Sequence, residues 1–348
     1  NATIKTRCED FVVTEKLGFE ATGDGEHLLL YIRKQNLTTT DVAQRLSEIT
    51  GARRAEIGYC GMKDKYGDCR QWFSLPAAKT NSAQLQALDQ GDLVIEQQAR
   101  NQRKLRIGSH RSNGFRIRLR HLSGARADID RRLQLCARQG VPNSFGTQRF
   151  GREQQNLQQL AALLETADVS TWPRGRRSMT YSAARALLFN QVLAARLRDG
   201  CWDQYLPGDV LNLDGTDRYF LTQCWDQTLQ DRLQRLDIHP SGPLCGVADP
   251  KDRYVTSGQS ADIEYAVLRC FTGVTTWLQH QGLQAARRPL RFLPRDLAWR
   301  WEGDSELVLE FELHRGCYAT SLLREVCRVI DASPGLTVKK ESSSESQL

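Results

Sequence analysis

No run of residues in this chain is long and apolar enough to cross a bilayer, and its start lacks the charged-then-apolar pattern of a secretory signal. A membrane protein is therefore not expected, and the cytoplasm is the expected location. The ten cysteines include no C-x-x-C pair, the six histidines include no H-E-x-x-H, and none of these residues stands at zinc-ligand spacing. No metal is expected, and the thiols read as reduced, small core residues. Internal repeats are missing too. The most informative absence is that of acid. Between Arg100 and Arg126 there are nine arginines and lysines and no aspartate or glutamate. A one-sign run that also carries a strand pattern reads as a folded basic ribbon, which points to a polyanion.

What remains is an ordinary soluble composition, 40% apolar and 26% charged over 348 residues with a net charge of +7. That length is enough for two domains with their own cores. The stretch around which the chain is organised is Glu56 to Asp68, followed by Gln71-Trp72-Phe73-Ser74-Leu75. Gly58, Gly61 and Gly67 give backbone freedom between β-favouring residues, so the centre reads as a turn between two strands. Asp64 sits at its tip between Lys63 and Lys65, two cations that favour the ionised carboxylate. Two readings stand for such a loop: a solvated turn with screened ion pairs, or a reactive carboxylate presented by rigid strands.

Residues 3–35 read as a pair of strands joined through Gly23-Asp24-Gly25. Val42, Leu46 and Ile49 repeat at helical spacing behind Thr38 to Asp41 as caps, which predicts a helix over 39–50. Phe115, Ile117 and Leu119 alternate with Arg116, Arg118 and Arg120, the period of a strand with one apolar and one basic face. These arginines either face water or contact phosphates. Helices are predicted over 128–139, 157–166 and 181–198, with a long loop or small β excursion from Asp237 to Gly258. Strand alternation returns at Glu306 to Leu313, and a last helix carries Leu322, Val326 and Val329. An α/β layer interrupted by a mostly helical block reads as one domain inserted in another.

Several separated motifs then coincide with one family. They are Lys5 with Glu9-Asp10-Phe11-Val12-Val13, Gly25-Glu26-His27, Gly61-Met62-Lys63-Asp64-Lys65, and Asn113-Gly114-Phe115. Val141-Pro142-Asn143, Phe145-Gly146, Gln148-Arg149-Phe150-Gly151 and Ala319 to Glu325 complete the set. In this order, and over nearly the whole chain, they make the sequence resemble the TruD pseudouridine synthases, which convert a uridine of tRNA to pseudouridine. The departures are Cys8, Met62, Gly67, Cys69 and Tyr318, standing where proline, glutamine, alanine, threonine and phenylalanine are usual. None removes a reactive group.

The resemblance implies an α+β fold: a pseudouridine-synthase catalytic domain of mostly antiparallel sheet with flanking helices, interrupted by an inserted α/β TRUD domain. The implied divisions are 1–142 and 288–340 for the catalytic domain and 143–287 for the insert, with a disordered serine-rich tail at 341–348. It places the nucleophile on Asp64 and the substrate contacts on Phe11, Asn113, Phe115 and Tyr318. Lys5, Glu9, Lys63 and Arg324 are expected as supporting groups, Arg324 as an ion-pair partner of Asp64. The expected partner is tRNA, with position 13 as the target, a monomeric state and no cofactor.

The chemistry suits these residue types. Moving the ribose bond from N1 to C5 gains and loses no atoms, and an ionised aspartate can act as a covalent nucleophile. Extracting a stacked base costs a few kcal/mol, which aromatic stacking offsets by about 1–3 kcal/mol per base. By burial preference alone, each of Phe11, Phe115 and Tyr318 also reads as ordinary core. Two alternatives are weighed against the isomerase: a magnesium-dependent nuclease using Asp10, Asp64 and Asp68, and a non-catalytic RNA-binding or tRNA-folding protein.

Overall fold

The computed structural model describes residues 1–151, 154–166, 169, 171–248 and 253–334. The serine-rich tail expected to be disordered, 341–348, lies outside the described residues. The chain divides into two compact units. The first comprises Asn1–Asp130, Pro294–Gly316 and the chain from Val326 on; the second comprises Arg131–Leu293 and Cys317–Glu325.

The first unit is built on an eight-stranded sheet. Its strands are β2 (Phe11–Leu17), β3 (His27–Lys34), β4 (Gly58–Tyr59), β5 (Asp68–Pro76), β6 (Leu93–Asn101), β7 (His110–Leu119), Arg295–Glu302 and Glu306–His314. Across the sheet the order is Arg295–Glu302, Glu306–His314, β7, β2, β5, β3, β6, and β4 pairs with β5. Every pairing is antiparallel except β2 with β5, at the centre. The fold class is thus the α+β one expected. The two strands flanking the Gly23–Gly25 turn do not pair with each other, because β5 lies between them.

Helix α1 (Thr39–Thr50) forms where its spacing predicts, with the Thr38 hydroxyl accepting from the Asp41 amide. Its apolar side, Val42 and Leu46, buries against Leu30, Ile32, Phe73 and Leu75 of β3 and β5. Helix α2 (Ser82–Leu88) adds Leu85 and Leu88 to the same core. Glu306–His314 matches its predicted strand, but Val329 does not continue the last helix. That helix is Ala319–Val326, and Val329–Asp331 is a strand parallel to β1 (Ala2–Ile4). The helical spacing at Leu322 and Val326 ends there, because the backbone of Val329–Asp331 is claimed by β1.

The second unit has helices Gln155–Thr166, close to its predicted span, and Arg174–Arg198, which begins about two turns before the predicted Tyr181, and a four-stranded sheet ordered Tyr219–Phe220, Leu211–Leu213, Ile238–Leu244, Ala286–Pro289. Ala184, Leu188, Trp277 and Leu278 form one of its cores. Arg196 and Asp209 pair within it at 2.9 Å, and both are buried.

Candidate active site

The sheet face that carries Phe11, Val13 and Glu15 of β2 carries Asn113, Phe115 and Ile117 of β7 beside them, because the register sets Phe11 opposite Ile117, Val13 opposite Phe115 and Glu15 opposite Asn113. The Phe11 and Phe115 rings meet edge to face at 6.3 Å between centroids, and Phe115 stacks on Phe311 at 5.2 Å. The amide oxygen of Asn113 is buried and has no hydrogen-bond partner among the described residues. Unlike a core amide, it is an acceptor still open to a donor.

Asp64 reaches this face from the loop between β4 and β5. Its Oδ2 accepts from the Lys5 ammonium at 2.5 Å, and its Oδ1 accepts from the Tyr66 amide at 3.1 Å. Lys5 also donates to Asp331 at 3.2 Å, and its ammonium lies 4.7 Å above the Phe11 ring. The Lys5 side chain is 9% exposed and that of Asp64 33%. Burial works against the Lys5 charge, but Asp64 and Asp331 outweigh it and hold the amine above its ordinary range. Lys5 has a positive φ of 57°, a conformation that costs a non-glycine residue about 1–2 kcal/mol. It turns the chain out of β1 at the point where its side chain is aimed at Asp64.

The loop is fixed from beneath by buried polar groups. The Lys34 ammonium donates to the Asp64 carbonyl at 2.7 Å and to the Leu37 carbonyl at 2.6 Å. Thr39 Oγ1 accepts from the Lys63 amide at 2.9 Å and donates to Gln71, whose side-chain amide donates to the Gly61 carbonyl at 2.6 Å. Lys34, Thr39 and Gln71 are fully buried. Lys63 turns inward to the buried Glu15 carboxylate at 2.5 Å. Gly67 allows the return strand to pass close to Phe11, since a Cβ there would lie 2.7 Å from the Phe11 carbonyl oxygen.

Other groups around the loop are electrostatically quiet at neutral pH. Burial pushes the Cys60 thiol up to about 12 and that of Cys69 up to about 11. Burial, helped by Lys63, lowers His110 to about 4, so its imidazole is neutral. Asp64 is the partly exposed carboxylate on this loop.

Glu9 is exposed and lines a shallow depression of about 290 Å³ with Arg7, Asp10, Arg116, Arg118, Arg120 and Val308. Tyr318 and Arg324 belong to the second unit. The Tyr318 hydroxyl accepts from the Arg149 guanidinium, and its ring lies 6.0 Å from Phe145. Arg324 is exposed, and the ion pair of Asp64 is made by Lys5.

Of the Arg116–Arg118–Arg120 stripe, Arg116 is exposed and makes no ion pair among the described residues, while the other two are engaged with carboxylates. Arg118 bonds Glu302 and Glu306, and Arg120 bonds Asp10 and Glu306. The three carboxylates of the nuclease alternative are likewise separated onto different cations. Asp10 is held by Arg120, Asp64 by Lys5, and Asp68 by Arg33 and Arg70. Among the described residues no three carboxylate, histidine or cysteine groups are arranged to hold a metal ion.

Sequence reading missed Lys34, Thr39, Gln71 and Asp331. The signal for Lys34 was a lysine closing the apolar run Leu28 to Ile32 on the core side of its strand. Nothing local distinguishes Asp331.

A solved structure from Methanosarcina mazei that carries the name tRNA pseudouridine synthase D has the same fold, with a TM-score of 0.69 over 94% of this chain and 93% of that one at 21% identity. The two chains therefore share one architecture. Sequence narrows the class further. The family model for tRNA pseudouridine synthase D (TruD) matches residues 1–172 and 162–326. The tRNA pseudouridine synthase D of Xanthomonas campestris pv. campestris (strain 8004) is 40% identical over 95% of this chain and 93% of its own length. That of Pseudomonas aeruginosa (strain UCBPP-PA14) is 38% identical over 94% and 91%. The chain belongs to the TruD family.

Proposed function

We propose that this enzyme isomerises a uridine of tRNA, at position 13, to pseudouridine, with Asp64 as the nucleophile. The observation that carries the reading is family membership over nearly the full chain, and Asp64 lies in the Gly61 to Lys65 motif on which the resemblance rests. The glycosidic bond to N1 breaks and a bond to C5 of the same base forms, so the reaction draws on no external atoms. Asp64 attacks, at the ribose or at the ring, as a carboxylate oriented by Lys5. The base is swung out of the RNA, and the Phe11 and Phe115 rings replace part of the stacking it loses. The open Asn113 acceptor takes the N3–H of uracil. Lys63 and Glu15 hold the floor of the site, and Tyr318 and Arg324 contribute RNA contacts from the second unit. In this reading 143–287 is the inserted TRUD domain, the protein acts as a monomer, and it works in the cytoplasm.

The test is to incubate purified protein with unmodified tRNA transcript in excess EDTA and map pseudouridine. Conversion of one uridine, with the strand intact, supports the reading. Strand cleavage, or binding without conversion, overturns it.

A further inference from the structure

The protein treats its arginines in two ways. On the outer face of the sheet, Arg33, Arg70, Arg118, Arg120 and Arg300 are each engaged with a carboxylate. In the turn between β6 and β7, Arg103 and Arg106 are exposed, as is Arg111 just beyond it; none makes an ion pair among the described residues, and Arg111 acts on Glu312, the partner of Lys16, only at longer range. This turn is not a loose loop. The Leu105 amide donates to Ser74 Oγ at 3.0 Å, the Gly108 amide donates to the Cys60 carbonyl at 2.7 Å, and the Lys104 ammonium donates to the Ala55 carbonyl. The Arg103 carbonyl accepts from Asn101 at 2.6 Å, and the Arg106 carbonyl accepts from Ser109 Oγ at 2.6 Å. Gly58 is packed so closely beneath that a Cβ there would lie 2.3 Å from the Leu105 carbonyl oxygen. Cys60, the anchor of Gly108, lies on the same loop as Asp64, four residues before it. At the tip, Ile107 is 70% exposed.

We infer that this tethered turn is a docking surface for the tRNA sugar-phosphate backbone, set in fixed register with the Asp64 loop by the bonds to Ala55, Cys60 and Ser74. The inference rests on the proposed tRNA substrate and names the surface that grips it. Cations without carboxylate partners give up no ion pair when they take a phosphate, and a pre-ordered backbone loses little entropy on binding. Ile107 supplies an apolar contact for a ribose face between the charged contacts. The Arg116–Arg118–Arg120 stripe is the less suitable surface, because two of its three guanidinium groups must first leave Asp10, Glu302 and Glu306.

The test is the salt dependence of tRNA binding. Each phosphate neutralised contributes about 0.7–0.9 to the slope of log K against log salt, so replacing Arg103, Arg106 and Arg111 together by glutamine lowers the slope by about 2–3. Single replacements each remove about 0.7–0.9 of slope and guard against misfolding of the triple variant. A charge-matched control replaces Arg45, Arg232 and Arg300, all in surface ion pairs, and keeps the wild-type slope. An unchanged slope in the triple variant, or an equal loss in the control, overturns the inference. Failure of wild-type protein to form pseudouridine would instead overturn the functional reading, whatever the slope.

Discussion

Replacing Lys34 by methionine separates holding the fold from aiming the nucleophile. Each hydrogen bond from this ammonium, to Leu37 and to Asp64, is of a charge-assisted kind that contributes about 1.5–3 kcal/mol. Against that loss stands the cost of burying an ammonium with no carboxylate bonded to it, which is several kcal/mol and on the order of the two bonds together. The two effects nearly cancel, so the variant folds. The rate has no such offset. The Asp64 carbonyl loses its charged donor and keeps only the weak Cys69 thiol at 3.5 Å, and a displacement of about 1 Å at a reacting group costs about 100-fold, or about 2.7 kcal/mol of barrier. The assay is single-turnover pseudouridine formation at saturating tRNA, with tRNA affinity and thermal melting measured alongside. A large fall in rate with affinity intact is expected, and a folded variant with the wild-type rate would refute the reasoning. Burial, the main cause, lowers the Lys34 pKa in the folded protein. The unfolded chain therefore holds more protons between the two pKa values, and wild-type stability rises with pH across that window. The methionine variant loses this rise.

Lys5→Met removes the cation that orients Asp64, and single-turnover rates should fall by about 100-fold while tRNA still binds. His110, lowered to about 4 by burial and by Lys63, stays neutral in the fold while the unfolded chain takes up a proton. Stability should thus be lost as pH falls from 6.5 towards 4, by at most about 3 kcal/mol. Denaturation curves of wild type and His110→Gln across that range check this, and the variant should lose less. Gly67→Ala places a Cβ 2.7 Å from the Phe11 carbonyl oxygen, and the crowding should cost about 1–3 kcal/mol by chemical denaturation. Tyr318→Phe removes the bond from Arg149, and should lower stability by about 1 kcal/mol without abolishing conversion.

Much of the architecture was legible because its signals are local. Alternation at Phe115, Ile117 and Leu119 marked β7, and the apolar spacing behind Thr38 marked α1. The partners of the charged residues were not legible. Arg118 and Arg120 find Glu302 and Glu306 only because Glu306–His314 lies beside β7, a register that no window of sequence contains. The same holds at the site. Asp64, Phe11, Phe115 and Asn113 could be placed by motif, but the role of Lys5 depends on β1 and Val329–Asp331 bringing distant ends of the chain together. Lys34 was hidden for another reason: a lysine ending a strand ordinarily points to solvent, and here it points inward because the Asp64 loop supplies the carbonyl it needs.

The central claim is that a single carboxylate carries the chemistry, and its most direct test compares wild type with Asp64→Asn on the same purified tRNA. The account predicts that the variant binds the tRNA as wild type does and forms no pseudouridine. Pseudouridine formed by the asparagine variant at the wild-type rate would contradict it.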